Sequence, residues 1–221
     1  MNSRNSLVSG LGVADGIEVD AQLTSDGVLV AYHDEDLSAL TACWGKINAH
    51  SWLELGTCPN TETDETYPIV RLDSFLLEVA KAYPDAEFTL DCKLFANGDW
   101  WSYVEAFGNA ITRLEAHPDL DGRVLVECQV MDFLQFVNDR NKGIPVFLYA
   151  TSADAAIDSA VSRSFTGITI HNDMVAVDQV ATAKQRGLSV TLFGVGAFGQ
   201  AAALAKQPDR LQTDAPSSFA R

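Results

Sequence analysis

Basic residues are scarce in this sequence of 221 residues, which has 15 lysines and arginines against 30 aspartates and glutamates. The formal net charge of −15 argues against nucleic acid or an anionic membrane surface as a partner, because either would be repelled. It does not argue against a small anionic substrate that is held by a bound metal ion. The sequence also has no run of about 18 apolar residues, so no membrane-spanning helix is predicted.

Cysteine is rare as well, and Cys43, Cys58, Cys92 and Cys128 show neither C-x-x-C spacing nor a zinc-binding pattern. We therefore expect mostly free thiols, with a Cys43–Cys58 disulfide as the alternative in an exported protein. No signal peptide is recognisable, and the compartment, cytoplasmic or exported, stays open. What remains is an acidic chain whose apolar fraction of 47% is typical of a globular protein with a sizeable core.

The stretch from Gly16 to Asp34 has the pattern of two strands joined by a turn. Since successive side chains of a strand alternate between its faces, Glu18, Asp20 and Gln22 share one face. Two carboxylates on one face repel each other unless a cation or a proton compensates them. Oxygen ligands of this kind suit Mg²⁺ or Ca²⁺. A solvated polar face is the alternative interpretation.

A histidine follows at the end of the second strand. Ser25-Asp26-Gly27 predicts the turn, and the apolar run after it ends in His33-Asp34. A histidine followed by an aspartate offers a proton donor or acceptor with an orienting partner. A lone histidine is more often structural, so a catalytic His33 is favoured by its combination with the acid pair in one short stretch.

This stretch resembles the signature of the glycerophosphodiester phosphodiesterase family, G-I-E-x-D-V-x-x-T-x-D-G-x-x-V-x-x-H-D. It matches nearly every position, with Ala21 in place of the valine. The resemblance implies a metal-dependent phosphoric diester hydrolase that converts a glycerophosphodiester to sn-glycerol 3-phosphate and an alcohol. It also implies roles for individual residues. Glu18, Asp20 and Asp91 would bind one divalent cation, Mg²⁺ or Ca²⁺. His33 would transfer a proton, and Lys93 would contact the phosphate.

Two departures from the family pattern bear on activity. The family has Glu-x-Lys where this chain has Asp91-Cys92-Lys93, so the ion must shift or a water must complete its shell; a plain Asp91–Lys93 ion pair is the alternative. The family's first strand, which ends in His-Arg-Gly, is absent, and we expect a fragment or a misassigned start, with weak turnover. The alternative function is a barrel that binds a metal and a glycerophosphoryl ligand or a partner without catalysis.

Strands alternate with helices over the rest of the chain, which predicts βαβ units and a parallel sheet. Strands are predicted near Gly16, Glu87, Arg123, Ile144, Gly167, Leu188 and Arg210. With the absent first strand they make the eight strands of a TIM-type (β/α)8 barrel, an α/β fold whose active sites lie at the carboxyl ends of the strands. We expect one barrel domain over residues 1–221, with a loop-rich insertion at about 35–68.

Two further candidates lie near predicted strand ends. Glu127 ends the strand that begins near Arg123, and the family often has Glu or Ser there, which implies a contact with the substrate. His171 follows Ile168-Thr169-Ile170 and is either a second proton-transfer group or a structural histidine. The head group of the substrate and the oligomeric state stay open.

Overall fold

The computed structural model describes residues 2–59, 61 and 69–219. The chain divides into two compact units, with the boundary between Val124 and Leu125. Residues 60 and 62–68, which belong to the predicted loop-rich insertion, lie outside the described residues. Within the described part of the chain, no helix is both long enough and apolar enough to cross a membrane.

The first unit has, within its described residues, a mixed sheet of four strands. They are β1 (Gly16–Leu23), β2 (Leu29–Ala31), β3 (Val70–Arg71) and β4 (Glu87–Cys92). Strand β1 pairs in parallel with β4 and antiparallel with β2, and β2 pairs antiparallel with β3. The helices of this unit are α1 (Arg4–Leu11), α2 (Trp52–Leu55), α3 (Leu72–Ala82) and α4 (Trp100–Glu115).

Helix α3 forms where apolar residues recur every three or four positions, which buries one face of the helix. That face consists of Leu72, Phe75, Leu76, Val79 and Ala80. Asp73 lies in the first turn and Lys81 in the last turn, where each complements the helix dipole. The helix ends just before Pro84, because the residue that precedes a proline avoids the helical region. The same apolar spacing predicts a helix over Leu72–Tyr83 from the sequence, and the observed helix is one residue shorter.

The turn between β1 and β2 depends on Thr24 and Gly27. Gly27 has a φ of +79°, a conformation that favours glycine. The Thr24 hydroxyl donates to Asp26 Oδ1 (2.6 Å) and accepts from the amide of Val28 (2.9 Å). The hairpin therefore closes as predicted and brings the end of β2 back beside β1.

Residues 35–59 pack on this hairpin around an apolar cluster. Its buried members are Val30, Tyr32, Leu37, Ile47, Leu55 and Ile69. A disulfide joins Cys43 to Cys58, so the expectation of mostly free thiols is wrong for these two residues. The physical reason is tertiary, since the fold of this segment brings their Cα atoms to 5.7 Å, within the range of a disulfide. The thiols of Cys92 and Cys128 are buried.

The second unit alternates strands with helices, as the sequence predicts. Its strands are β5 (Val124–Cys128), β6 (Val146–Ala150), β7 (Gly167–His171), β8 (Ser189–Phe193) and β9 (Arg210–Leu211). Each strand pairs in parallel with the next along the chain. The helices between them are α5 (Met131–Arg140), α6 (Ala153–Ser162), α7 (Val177–Gln185) and α8 (Gln200–Ala205).

Candidate functional site

Three carboxylates meet on one face of the sheet in the first unit. Glu18 and Asp20 lie two residues apart on β1, and the parallel register places Asp20 directly opposite Asp91 of β4. One oxygen from each of the three side chains lies within 4.8 Å of the other two. The structure therefore brings together the three residues that the sequence predicts as metal ligands.

Lys93 follows β4 and reaches back to the same carboxylates. Its Nζ lies 2.6 Å from Asp91 Oδ2 and 2.9 Å from Asp20 Oδ1. Its backbone amide donates to the carbonyl of Ala21 at 2.9 Å and so extends the pairing of β1 with β4. The ion pair considered as an alternative from the sequence is present, and it includes Asp20 as well as Asp91.

Burial governs the electrostatics of this cluster. It raises the pKa of the Asp91 carboxyl above its ordinary value, and Asp20 adds to this effect, whereas Lys93 and His33 oppose it. Burial alone would lower the pKa of Lys93, but the Asp91 and Asp20 carboxylates outweigh it, so the pKa lies above its ordinary value. Lys93 is therefore a permanent cation, and further positive charge near Asp91 would favour the ionised form of that carboxyl group.

The donor set fits a hard divalent cation. Glu18, Asp20 and Asp91 offer carboxylate oxygens, which are the ligands that Mg²⁺ and Ca²⁺ take. When all three carboxylates are ionised, they and the Lys93 ammonium carry a net charge of −2, which a divalent cation neutralises. The charge of the cluster therefore also fits such an ion.

His33 lies just beyond the end of β2, beside the strand that carries Asp20. The amide of Tyr32 donates to the carbonyl of Asp20 at 3.0 Å. His33 Nδ1 is 3.2 Å from Asp34 Oδ1, and the His33 side chain is 62% exposed. With Nδ1 turned toward the carboxylate, Nε2 is the ring nitrogen that can exchange a proton with a substrate.

Two polar residues near these groups were not singled out from the sequence. The side-chain amide of Asn2 donates to Asp20 Oδ2 (2.7 Å), and its oxygen accepts from the Asp20 amide (3.1 Å). The amide of Gln22 donates to the carbonyls of Tyr32 and Asp34. A signal existed only for Gln22, because it shares a strand face with Glu18 and Asp20.

In the second unit, Glu127 is buried at the end of β5. Its Oε2 accepts from the hydroxyl of Thr169 (2.8 Å) and from the side-chain amide of Gln212 (3.0 Å). These two donors stabilise the buried carboxyl group. The contact of Glu127 with a substrate stays a prediction.

His171 ends β7 among aromatic rings. It meets Phe193 edge-on with the ring centroids 5.1 Å apart, and Phe193 stacks on Tyr149 at 4.9 Å. His171 Nδ1 accepts from the amide of Asp173 (3.2 Å). Gly194 has a φ of +71°, and a Cβ there would lie 2.3 Å from His171 Nε2. These contacts favour the structural interpretation, and proton transfer by His171 stays a prediction.

A comparison with models of protein families finds a match over most of the chain. The model of the "Glycerophosphoryl diester phosphodiesterase family" matches residues 8–207. No curated protein sequence matches the chain.

Solved structures match almost the whole chain. One is a phosphodiesterase of Oleispira antarctica in complex with the product sn-glycerol-3-phosphate, at 20% identity and a TM-score of 0.82, with 97% of this chain and 88% of that one covered. A second is a glycerophosphodiester phosphodiesterase of Parabacteroides distasonis, at 21% identity and a TM-score of 0.80, with 98% and 87% covered. A third is the Thermotoga maritima enzyme, at 17% identity and a TM-score of 0.76, with 99% and 90% covered. The predicted TIM-barrel fold is thereby confirmed.

Proposed function

Because the chain belongs to the glycerophosphoryl diester phosphodiesterase family, a family of phosphoric diester hydrolases, we propose that it hydrolyses a glycerophosphodiester to sn-glycerol 3-phosphate and an alcohol. The observation that carries the proposal is the meeting of Glu18, Asp20, Asp91 and Lys93 on one face of the sheet. The product bound to the Oleispira antarctica enzyme supports the same class of substrate.

In this proposal Glu18, Asp20 and Asp91 hold one divalent cation, Mg²⁺ or Ca²⁺. When bound, such an ion supplies charge neutralisation and polarisation at the phosphodiester. Lys93 adds a fixed positive charge beside it. The ammonium group has three protons, of which two face Asp91 and Asp20, and the third can bind a non-bridging phosphate oxygen.

His33 acts as the general acid in this proposal. As the bond between phosphorus and the leaving oxygen breaks, the proton on Nε2 passes to that oxygen. A water molecule supplies the new oxygen on phosphorus and releases one proton to the solvent, from which His33 is protonated again. Asp34 Oδ1 lies 3.2 Å from Nδ1 and orients the ring, which leaves Nε2 for the substrate. A positioned proton donor of this kind contributes about 10²–10⁴-fold in rate.

The test measures release of glycerol 3-phosphate from glycerophosphocholine and glycerophosphoethanolamine, with Mg²⁺, with Ca²⁺ and with EDTA. We expect turnover that needs a divalent cation, a loss of about 10²–10⁴-fold in His33→Ala, and loss of the metal response in Glu18→Gln. His117→Ala is the matched control, because His117 is a surface histidine, and it should keep full activity. Full turnover in EDTA or in His33→Ala would contradict the proposal.

The second candidate is a barrel that binds a metal and a glycerophosphoryl group without turnover. Two observations favour it, namely Asp91 at the position where the family has Glu and the pairing of Lys93 with both aspartates. A rise in melting temperature with Mg²⁺ or Ca²⁺ that Glu18→Gln abolishes, without release of glycerol 3-phosphate, would support this candidate over the enzyme. The same assay also measures whether turnover is weak, as the sequence predicts.

A further inference from the structure

We propose that Gln22 is a positioning residue for His33, an inference that rests on the role proposed above for His33. The Gln22 side chain is fully buried. Its Nε2 donates to the carbonyl of Tyr32 at 2.9 Å and to the carbonyl of Asp34 at 2.8 Å. Gln22 therefore holds the main chain on both sides of His33.

His33 needs such support because neither a strand nor packing holds it. Strand β2 ends at Ala31, and the His33 side chain is 62% exposed. The position of its ring then follows from the direction of the Cα–Cβ bond, which the backbone of residues 32–34 sets. The two hydrogen bonds from Gln22 take the place of the strand pairing that stops before His33.

The chemistry of the position requires an amide. Both protons of the Gln22 NH₂ group are used, and among the described residues its Oε1 has no hydrogen-bond partner. Turning the amide over would place Oε1 against two carbonyl oxygens, which repel it. A glutamate of the same shape would present oxygens to the same two acceptors.

The location of Gln22 couples His33 to the metal-ligand candidates. Gln22 lies on β1, on the strand face that carries Glu18 and Asp20. Any shift of β1 relative to the chain after β2 therefore moves the proposed proton donor relative to the carboxylates. The amide thus sets the distance between two groups that must act on one substrate.

The test replaces Gln22 by Met, which has a similar volume and no donor. The apolar cluster around Tyr32 and the Cys43–Cys58 disulfide should keep the hairpin folded. We expect kcat to fall about ten- to a hundredfold, since misplacing a reacting group by about 1 Å costs up to about 10²-fold. KM and the metal-induced rise in melting temperature should hardly change. Gln135→Met is the matched control, because Gln135 is a partly exposed glutamine whose side chain bonds only to the exposed Asp139 among the hydrogen bonds of the described residues, and kcat should not change.

A double-mutant comparison separates positioning from a general structural effect. In the His33→Ala background, Gln22→Met should cause no further loss of kcat, because the group that it positions is gone. An equal loss in both backgrounds, or no loss in either, overturns the proposal. Should Gln22→Met fail to fold, Gln22→Glu keeps the shape of the side chain and removes the donors, and the same comparison applies.

A measurement without turnover distinguishes this proposal from the proposed activity. Carbon-13 relaxation of the His33 ring, assigned with His33→Ala, reports its motion on the picosecond to nanosecond scale. We expect a more mobile ring in Gln22→Met than in the wild type or in Gln135→Met. If the wild type shows no turnover, the proposed activity fails, and ring mobility alone decides: an unchanged ring overturns the positioning role, and a more mobile ring supports it.

Discussion

Replacing Lys93 by Met should destabilise the protein and at the same time strengthen its response to a divalent cation. The Lys93 ammonium lies 2.6 Å from Asp91 and 2.9 Å from Asp20. A bound cation would share these carboxylates with it, and two positive groups at one set of oxygens repel each other. Methionine keeps the length of the side chain and removes the charge, so it isolates this effect.

The magnitude follows from the distances and the burial. With an effective dielectric constant of about 20, each contact corresponds to about 6 kcal/mol before desolvation is counted. Removing one partner of a buried ion pair costs about 3–5 kcal/mol. Because the three side chains keep 12–19% of their surface exposed, we expect the lower value, about 3 kcal/mol. For a chain of this size that corresponds to a fall in melting temperature of about 6–12 °C.

The assay is thermal unfolding in EDTA and in a series of Ca²⁺ and Mg²⁺ concentrations, together with turnover. In Lys93→Met the cation should raise the melting temperature more than in the wild type, while turnover falls about 10²-fold through loss of the phosphate contact. Lys81→Met is the control, since Lys81 is 70% exposed and 3.9 Å from Asp119, a pair worth about 0–1 kcal/mol. A Lys93→Met protein that is as stable as the wild type in EDTA, or that responds no more strongly to the cation, would refute the reasoning.

Three further predictions concern the disulfide, Tyr32 and Asp91. Replacing Cys43 and Cys58 by Ser should lower the free energy of unfolding by about 3 kcal/mol, the value for a loop of about 15 residues; denaturant midpoints equal to those of the oxidised wild type would contradict this. Burial raises the pKa of Tyr32 to about 12, so the contribution of its phenol group to the free energy of unfolding is fully present below pH 10 and is lost as the pH rises through 12. Between these pH values the free energy of unfolding should fall by about 2–3 kcal/mol more in the wild type than in Tyr32→Phe. The same pH dependence of stability in both proteins would contradict this prediction. Asp91→Glu should keep the metal-induced rise in melting temperature, and Asp91→Asn should lose it. A rise in Asp91→Asn equal to that in Asp91→Glu would exclude Asp91 as a ligand.

Local patterns in the sequence were sufficient for most of the secondary structure. Strand β4, which begins at Glu87, and strand β7, which begins at Gly167, lie where the sequence predicts strands, because apolar spacing and turn residues act over a few neighbouring positions. The same holds for Glu18 and Asp20, whose shared face follows from the two-residue period of a single strand.

Other parts of the site could be proposed from the sequence only as separate candidates. Asp91 and Lys93 share a face of their own strand, yet nothing local indicates which residue of β1 lies opposite them. The strand register decides that, and it places Asp91 against Asp20. Register depends on the packing of whole strands, which a pattern of neighbouring residues does not contain.

By itself, then, the sequence determined the order of strands and helices, the acid pair on β1 and the His-Asp step that follows it. Only the tertiary structure decided which distant groups meet: the 2.6 Å contact of Lys93 with Asp91, the Cys43–Cys58 disulfide and the bonds from Gln22 to the main chain around His33. The physical reason is range. Periodicity and turn chemistry act between neighbours along the chain, whereas hydrogen bonds, ion pairs and disulfides form wherever the fold brings atoms within a few ångströms.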